Sequence, residues 1–293
     1  MATSPGTRGT GQVAVVTGAT SGIGREIARR LAADGYTVVV VGRGEPRAAA
    51  TAAAIARETG NPRVESVGVT DLARPGDVRR LAATLLAKYP RIHVLVNNAG
   101  AFFRRREVTA EGLERTFALN VLAPFLLTSL LEDRLKESAP ARVVNMASDA
   151  HLRQKLDLSD LQSGRAYAGF RAYGVSKLEL ILLTREFARR LAGTGVSVNA
   201  VHPGFVASGF GKNNGGGTKI AITVLGWLFA KSVRRGAVTP VLVAEDPSLA
   251  SVSGEYFANE RVVPGDPASR DPEAGGRLFA AVDQIAGPLS APS

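Results

Sequence analysis

Between residues 13 and 257, short runs of β-branched and apolar residues alternate with longer Ala/Leu/Arg-rich stretches of helical period. That alternation constrains the fold more than any other feature of the chain. Strands that are apolar throughout are buried on both faces, the habit of a parallel sheet covered by helices. The pattern predicts strands at 13–16, 37–41, 64–69, 93–96, 142–146, 197–201 and 255–257, and helices at 22–33, 46–59, 75–89, 111–136, 171–191 and 233–244. With right-handed βαβ crossovers, the expected fold is α/β: a single-domain, doubly wound, Rossmann-type parallel sheet of about seven strands with helices on both faces.

Residues 12–261 would form this domain. The stretch 1–11 is small, polar and Gly/Thr-rich, lacks the apolar core of a signal peptide, and is expected to be a disordered tail. From 262 to 293 Pro, Gly, Ser and charge dominate, which predicts a partly ordered C-terminal tail. Segments 151–170 and 205–231 both follow strand ends, where the ligand-binding loops of such sheets gather, and 205–231 is expected to act as a substrate lid. Its apolar part, 220–230, is flanked by Lys219 and Lys231 and falls short of the roughly 20 residues a bilayer span needs. No integral membrane segment is therefore expected.

With no cysteine, the chain forms no disulfide and offers no thiolate nucleophile or Cys-ligated metal, and a cytoplasmic setting fits. His93, His151 and His202 lie far apart without metal-ligand spacing, so no metal is expected. The net charge of +10 is spread in pairs such as Arg29-Arg30 and Arg234-Arg235. There is no basic tail or reader motif, which argues against nucleic acid as a partner.

Thr17-Gly18-Ala19-Thr20-Ser21-Gly22-Ile23-Gly24 stands between the first strand and the first helix. There glycines let the backbone approach a pyrophosphate at a helix N-terminus. At the end of the second strand, where an NAD site offers an acid to the ribose 2′-hydroxyl, the chain has Gly42-Arg43. A guanidinium suits a 2′-phosphate, so NADP(H) is the expected cofactor, with NAD(H) as the alternative. Asp34-Gly35 reads as a turn, and Arg25 either assists from the helix start or faces solvent.

Tyr173-x-x-x-Lys177 opens a strongly helical segment, and the i, i+4 spacing puts phenol and ammonium on one face. A neighbouring cation favours the phenolate, which would lower the tyrosine pKa toward working pH and make Tyr173 a general acid/base.

These residues keep company with Asp71-Leu72, Asn97-Asn98-Ala99-Gly100, Asn120, Val144-Asn145-Met146-Ala147-Ser148 and Pro203-Gly204, in this order. From Val13 to about Asn259 the chain resembles the short-chain dehydrogenase/reductase family. Ala172 to Leu178, His202-Pro203-Gly204 and Ser253 to Phe257 are most similar to its retinol dehydrogenase and WW-domain oxidoreductase branch, as is the long gap from Ser148 to Tyr173 that holds His151 and Asp157-Leu158. The membrane-anchoring N-terminus of many retinol dehydrogenases is missing.

The resemblance implies that Ser148 polarises the substrate carbonyl, Tyr173 gives or takes its proton, Lys177 holds the nicotinamide ribose, and Asn120 positions a water for proton relay. It also implies that the dinucleotide lies along Gly18, Thr20, Ser21, Gly22, Ile23, Gly24 and Arg43, with Asp71 and Leu72 beside the adenine. Asn98, Ala99 and Gly100 would line it further on, and Pro203, Gly204, Val206 and Ser208 would surround the nicotinamide amide. Relatives are often dimers or tetramers, which makes a homo-oligomer the expectation.

Phe102, Phe103, Met146, Leu152, Phe205 and 220–229 are the expected pocket, a mostly apolar set suited to a lipophilic ketone, aldehyde or alcohol. Met146 is placed equally well in the core. Arg104-Arg105-Arg106 reads as a solvated charge run or as a guide for an anionic substrate. The rival readings are a non-catalytic NADP(H)-binding sensor or interaction protein on the same fold, and a sugar-nucleotide epimerase or dehydratase. Intact Ser148, Tyr173 and Lys177 argue against the first. The second expects a Gly-x-x-Gly-x-x-Gly turn and a larger C-terminal domain.

Overall fold

The computed structural model describes residues 8–204 and 233–288. Its strands are β1 (Val13–Thr17), β2 (Thr37–Arg43), β3 (Val64–Val69), β4 (Val94–Asn97), β5 (Ala141–Met146), β6 (Val196–His202), β7 (Tyr256–Ala258) and β8 (Arg261–Val262). They form one sheet in the order β3-β2-β1-β4-β5-β6-β7-β8. Every pairing is parallel except β7 with β8. The chain order reverses between β1 and β4, so a crevice opens there beyond the strand C-termini.

Alternate strand residues feed two cores. Val15, Val39, Leu95, Val143 and Val198 meet α3 (Pro75–Lys88), the helical stretch around α5 (Ala123–Leu130), and α7 (Gly169–Arg190). Val16, Val38, Val40, Val96 and Val144 face α1 (Gly22–Ala33), α2 (Glu45–Thr59) and α8 (Val238–Glu245). This period of two, with apolar residues on both faces, is what a sheet between two helical layers demands.

Two expectations need correcting. The single helix predicted over 111–136 is broken into α4 (Arg115–Phe117), a π turn (Ala118–Leu122), α5 and α6 (Glu132–Glu137). The break has a cause in the sequence: Pro124 has no N–H for the Asn120 carbonyl four residues back. In the π turn the Ala123 N–H reaches the Ala118 carbonyl instead. Upstream, the Glu114 carboxylate caps α4 by accepting the Thr116 and Phe117 N–H groups at 2.8 Å.

Within the expected partly ordered tail the described residues, up to 288, hold β8, a short turn (Pro267–Arg270) and α9 (Pro272–Ala286). Asp271 caps α9 through the Glu273 and Ala274 N–H groups, at 2.9 and 3.0 Å. Leu278, Phe279 and Val282 then give it an apolar side that packs in the α7 core. Composition hid a local helix start, an Asp N-cap followed by Pro at the first helical position. At the other end, residues 8–11 of the expected tail form a turn held by the Gly9 N–H to Asp34 carbonyl bond of 2.8 Å. Among the described residues no helix is long and apolar enough to cross a membrane.

Candidate active site

The glycine turn is fastened across the crevice. Thr17, ending β1, accepts the Asn98 and Ala99 N–H groups on its Oγ1, both at 3.0 Å, while Asn98 Nδ2 donates to the Thr17 carbonyl at 2.8 Å. Gly18 has φ +65°, open to glycine at little cost, and a Cβ on Gly24 would stand 2.6 Å from the Gly18 carbonyl oxygen. Ser21 caps α1 without a side-chain hydrogen bond, so the N–H groups of Gly22, Ile23 and Gly24 keep their donors for an anion at the helix N-terminus. Thr20 packs against Gly42, where any side chain would collide with its methyl group.

Arg43 is exposed at the end of β2, opposite Val69 of β3. The nearby carboxylate, Glu45, is turned toward β3, where it accepts from Ser66 Oγ at 2.6 Å and from the Gly68 N–H. Arg25 is paired with Glu58 of α2. Asp34 closes α1 ahead of Gly35, the turn the sequence predicted. Asp71 accepts from Arg115 at 3.0 Å and from the Ala73 N–H at 3.0 Å, and Leu72 is buried beside it.

On the other lip, Gly100 links the cofactor shelf to the reacting centre. A Cβ there would sit 3.1 Å from Asn120 Oδ1 and 3.5 Å from Lys177 Nζ. Lys177 is 4% exposed, donates to the Met146 carbonyl at 2.8 Å and lies 5.5 Å from the centre of the Tyr173 ring. Asn120 is held on both sides: its Oδ1 accepts the Ala101 N–H at 3.0 Å, and its Nδ2 donates to the Ala101 carbonyl at 3.0 Å and to Ser176 Oγ at 3.1 Å. Ser176 donates in turn to the Tyr173 carbonyl at 2.7 Å. Asn120, Tyr173 and Lys177 thus meet at one place, and Ser148 joins them through its hydrogen bond with the Tyr173 phenol.

The electrostatics depart from expectation. Burial pushes the Tyr173 phenol up to about 12, and a hydrogen bond with the Ser148 side chain pulls the other way. Burial also pushes Lys177 down to about 8. Burial thus raises the phenol although the Lys177 ammonium lies one helical turn on, opposite to the direction expected from the spacing.

Beneath the site the Asn97 and Asn145 side chains of paired strands join at 2.8 Å. They continue to Thr128 at 3.1 Å and Thr184 at 2.9 Å, a buried ladder tying β4 and β5 to α5 and α7. Of the expected pocket, Phe102 meets Tyr173 edge-on at 6.3 Å and Leu152 is exposed, but Phe103 and Met146 are core residues. Gly204 has φ +84° after Pro203. Phe205, Val206, Ser208 and the expected lid lie outside the described residues.

The sequence reading missed the groups that brace Ser148. Asp149 accepts from the Tyr256 hydroxyl at 2.7 Å and pairs with His202 Nε2 at 3.2 Å, burial holding that imidazole below its ordinary pKa. His151 bonds the Ser148 carbonyl. The signal available was three polar residues, Ser148, Asp149 and His151, within five positions of the end of β5.

A helix N-terminus ready for an anion and a proton-handling cluster, on opposite lips of one switch-point crevice, are the layout of the dinucleotide-binding α/β class. The chain belongs to the short-chain dehydrogenase/reductase family of oxidoreductases: the model described as short chain dehydrogenase matches residues 12–217. It is 42% identical to retinol dehydrogenase 12 of Mus musculus over 252 residues, 85% of this chain and 78% of that protein. It is 38% identical to retinol dehydrogenase 13 of Homo sapiens over 288 residues, 97% and 86% of the two chains. Among solved structures it resembles the Pseudomonas aeruginosa RhlG/NADP active-site complex, with TM-score 0.67, 27% identity, and coverage of 87% of this chain and 97% of that one. The retinol dehydrogenase branch expected from the motif wording is the one these curated relatives represent.

Proposed function

We propose that this chain is an NADP(H)-dependent oxidoreductase acting on the carbonyl, or the primary or secondary alcohol, of a small lipophilic molecule. The observation that carries the reading is the meeting of Tyr173, Ser148 and Lys177 beside Gly100, where the cofactor shelf ends. Retinol dehydrogenase relatives support a lipophilic substrate, and the NADP of the Pseudomonas complex supports the phosphorylated dinucleotide. The cradle fits such a cofactor: uncapped amides at the start of α1 for the pyrophosphate, and an exposed guanidinium at the end of β2 for a 2′-phosphate.

When bound, the nicotinamide supplies or accepts the hydride. The chain handles the proton. Tyr173 gives its hydroxyl proton to the substrate oxygen during reduction, and Ser148 donates a hydrogen bond to the same oxygen. Lys177, fixed on the Met146 carbonyl and 5.5 Å from the centre of the Tyr173 ring, would hold the ribose and offers positive charge beside the phenol. Asn120 fixes the Gly100-Ala101 shelf against α7 and orders the water that refills Tyr173.

The test is a panel of ketones, aldehydes and alcohols, followed by absorbance of the reduced cofactor with NADPH and NADH in parallel, for wild type and Arg43→Asp. Turnover with NADPH favoured is expected. Losing charge-assisted bonds of about 1.5–3 kcal/mol should lower the NADPH/NADH preference roughly tenfold to a hundredfold. An unchanged ratio would remove Arg43 from the cofactor site, and binding without any turnover would turn the reading toward a sensor.

A further inference from the structure

His151 takes no part in the proton chemistry above, yet its ring is 0% exposed and both its nitrogens are engaged. Nδ1 lies 2.8 Å from the Ser148 carbonyl oxygen, and Nε2 lies 3.0 Å from the Asp266 backbone nitrogen. A backbone N–H only donates, so Nε2 presents the lone pair and Nδ1 carries the proton. The imidazole therefore donates to the main chain of Ser148. Tyr256 packs edge-on at 4.9 Å against the ring.

The turn Asp149–His151 is pinned from other directions too. The Tyr256 hydroxyl holds Asp149 at 2.7 Å, and the Arg153 N–H donates to the Asp266 carboxylate at 2.7 Å. A Cβ on Gly174 would fall 2.5 Å from the Ala150 carbonyl oxygen, so the turn rests directly on α7 beside Tyr173. Without the imidazole bond the Ser148 carbonyl loses its side-chain tether, and the Ser148 hydroxyl can shift relative to the phenol. A misplacement on the order of 1 Å at a reacting centre costs about a hundredfold in rate.

We infer that His151 is a positioning residue. It fixes the Ser148 main chain so that the hydroxyl meets Tyr173 and the substrate oxygen, and it ties this placement to the 263–270 segment before α9. The inference rests on the oxidoreductase reading and extends it to a residue outside the proton-transfer group.

Two variants separate its two bonds. His151→Asn keeps an N–H near the Nδ1 position and drops the acceptor for Asp266. His151→Gln keeps an amide near the Nε2 position and removes the side-chain donor from the Ser148 carbonyl, leaving it only the backbone N–H of residue 151 at 3.1 Å. Rates are expressed per cofactor-binding site, counted by fluorescence titration with NADPH. His151→Gln is expected to lose kcat roughly tenfold to a hundredfold with KM for the cofactor unchanged, and His151→Asn to recover most of kcat although both melt earlier. Equal kcat in both variants, with only the melting temperature lowered, makes His151 a filler of the core and overturns the proposal.

A second measurement needs neither variant to be active. Nitrogen-labelled histidine spectra of the wild type should show residue 151 in the Nδ1–H form, and an Nε2–H or doubly protonated ring sinks the bond on which the inference stands. A wild type silent on every carbonyl and alcohol would count against the oxidoreductase reading, while the labelled spectra would decide this one by themselves.

Discussion

Tyr173 and phenylalanine differ by one hydroxyl, which makes Tyr173→Phe a clean separation of proton transfer from cofactor binding. The ring stays against Phe102, and Lys177 stays on the Met146 carbonyl. Turnover should drop roughly a hundred- to ten-thousand-fold, the usual yield of a placed acid or base, with the Kd for NADPH unchanged. Retained turnover would move the proton to another group. The i, i+4 spacing puts Tyr173 and Lys177 on one face, but it was the company of the other family motifs, in register along the chain, that singled the pair out. Their pKa directions were not legible, since burial is a property of the neighbours that the fold brings in. His151 was equally hidden: a lone histidine says nothing until Asp266, 115 positions further along the chain, is found on its Nε2.

At the scale of the element, α7 carries both the site and a liability. Glu179, two residues beyond Lys177, is 1% exposed, and its Oε1 has no hydrogen-bond partner. Burial, with the neighbouring Glu114 charge second, raises its pKa well above the ordinary carboxyl range. The Glu114 side chain accepts from the α4 amides. A carboxyl whose folded pKa lies above its unfolded one binds more protons when folded, so it subtracts stability as pH climbs above about 4.5. Glu179→Met should therefore stabilise the protein by about 1–3 kcal/mol at pH 8, the cost of burying an unsatisfied polar group, and by less near pH 5. Urea melts at the two pH values check this, and an equal gain at both would exclude ionisation as the cause. Strands and most helices of this sheet were legible because apolar runs and helical period are local signals. The π turn was not, although Pro124 announced it, because an unbroken apolar pattern masked a single missing N–H.

Across the whole molecule, the C-terminal helix is the piece that composition misjudged, and it covers a face the sheet cannot leave open. Phe279 of α9 meets Phe125 of α5 at 4.9 Å and Phe187 of α7 at 5.1 Å, with the Arg190 guanidinium 3.7 Å above its ring. Three helices far apart in sequence thus share one aromatic cluster, at the opposite end of α7 from Tyr173. Phe279→Ala leaves a void that rigid neighbours fill only in part, and should cost about 3–5 kcal/mol. The urea midpoint should fall with the slope of the transition unchanged, as for a cavity that leaves the unfolded chain alone. Turnover per folded molecule should hold, because the strand ends and the start of α7 that carry the reacting groups are anchored separately by the Asn97-Asn145 ladder and by Lys177. If kcat fell along with the midpoint, the helix would be acting on the site through α7, and the separation between the two ends of that helix would have to be abandoned.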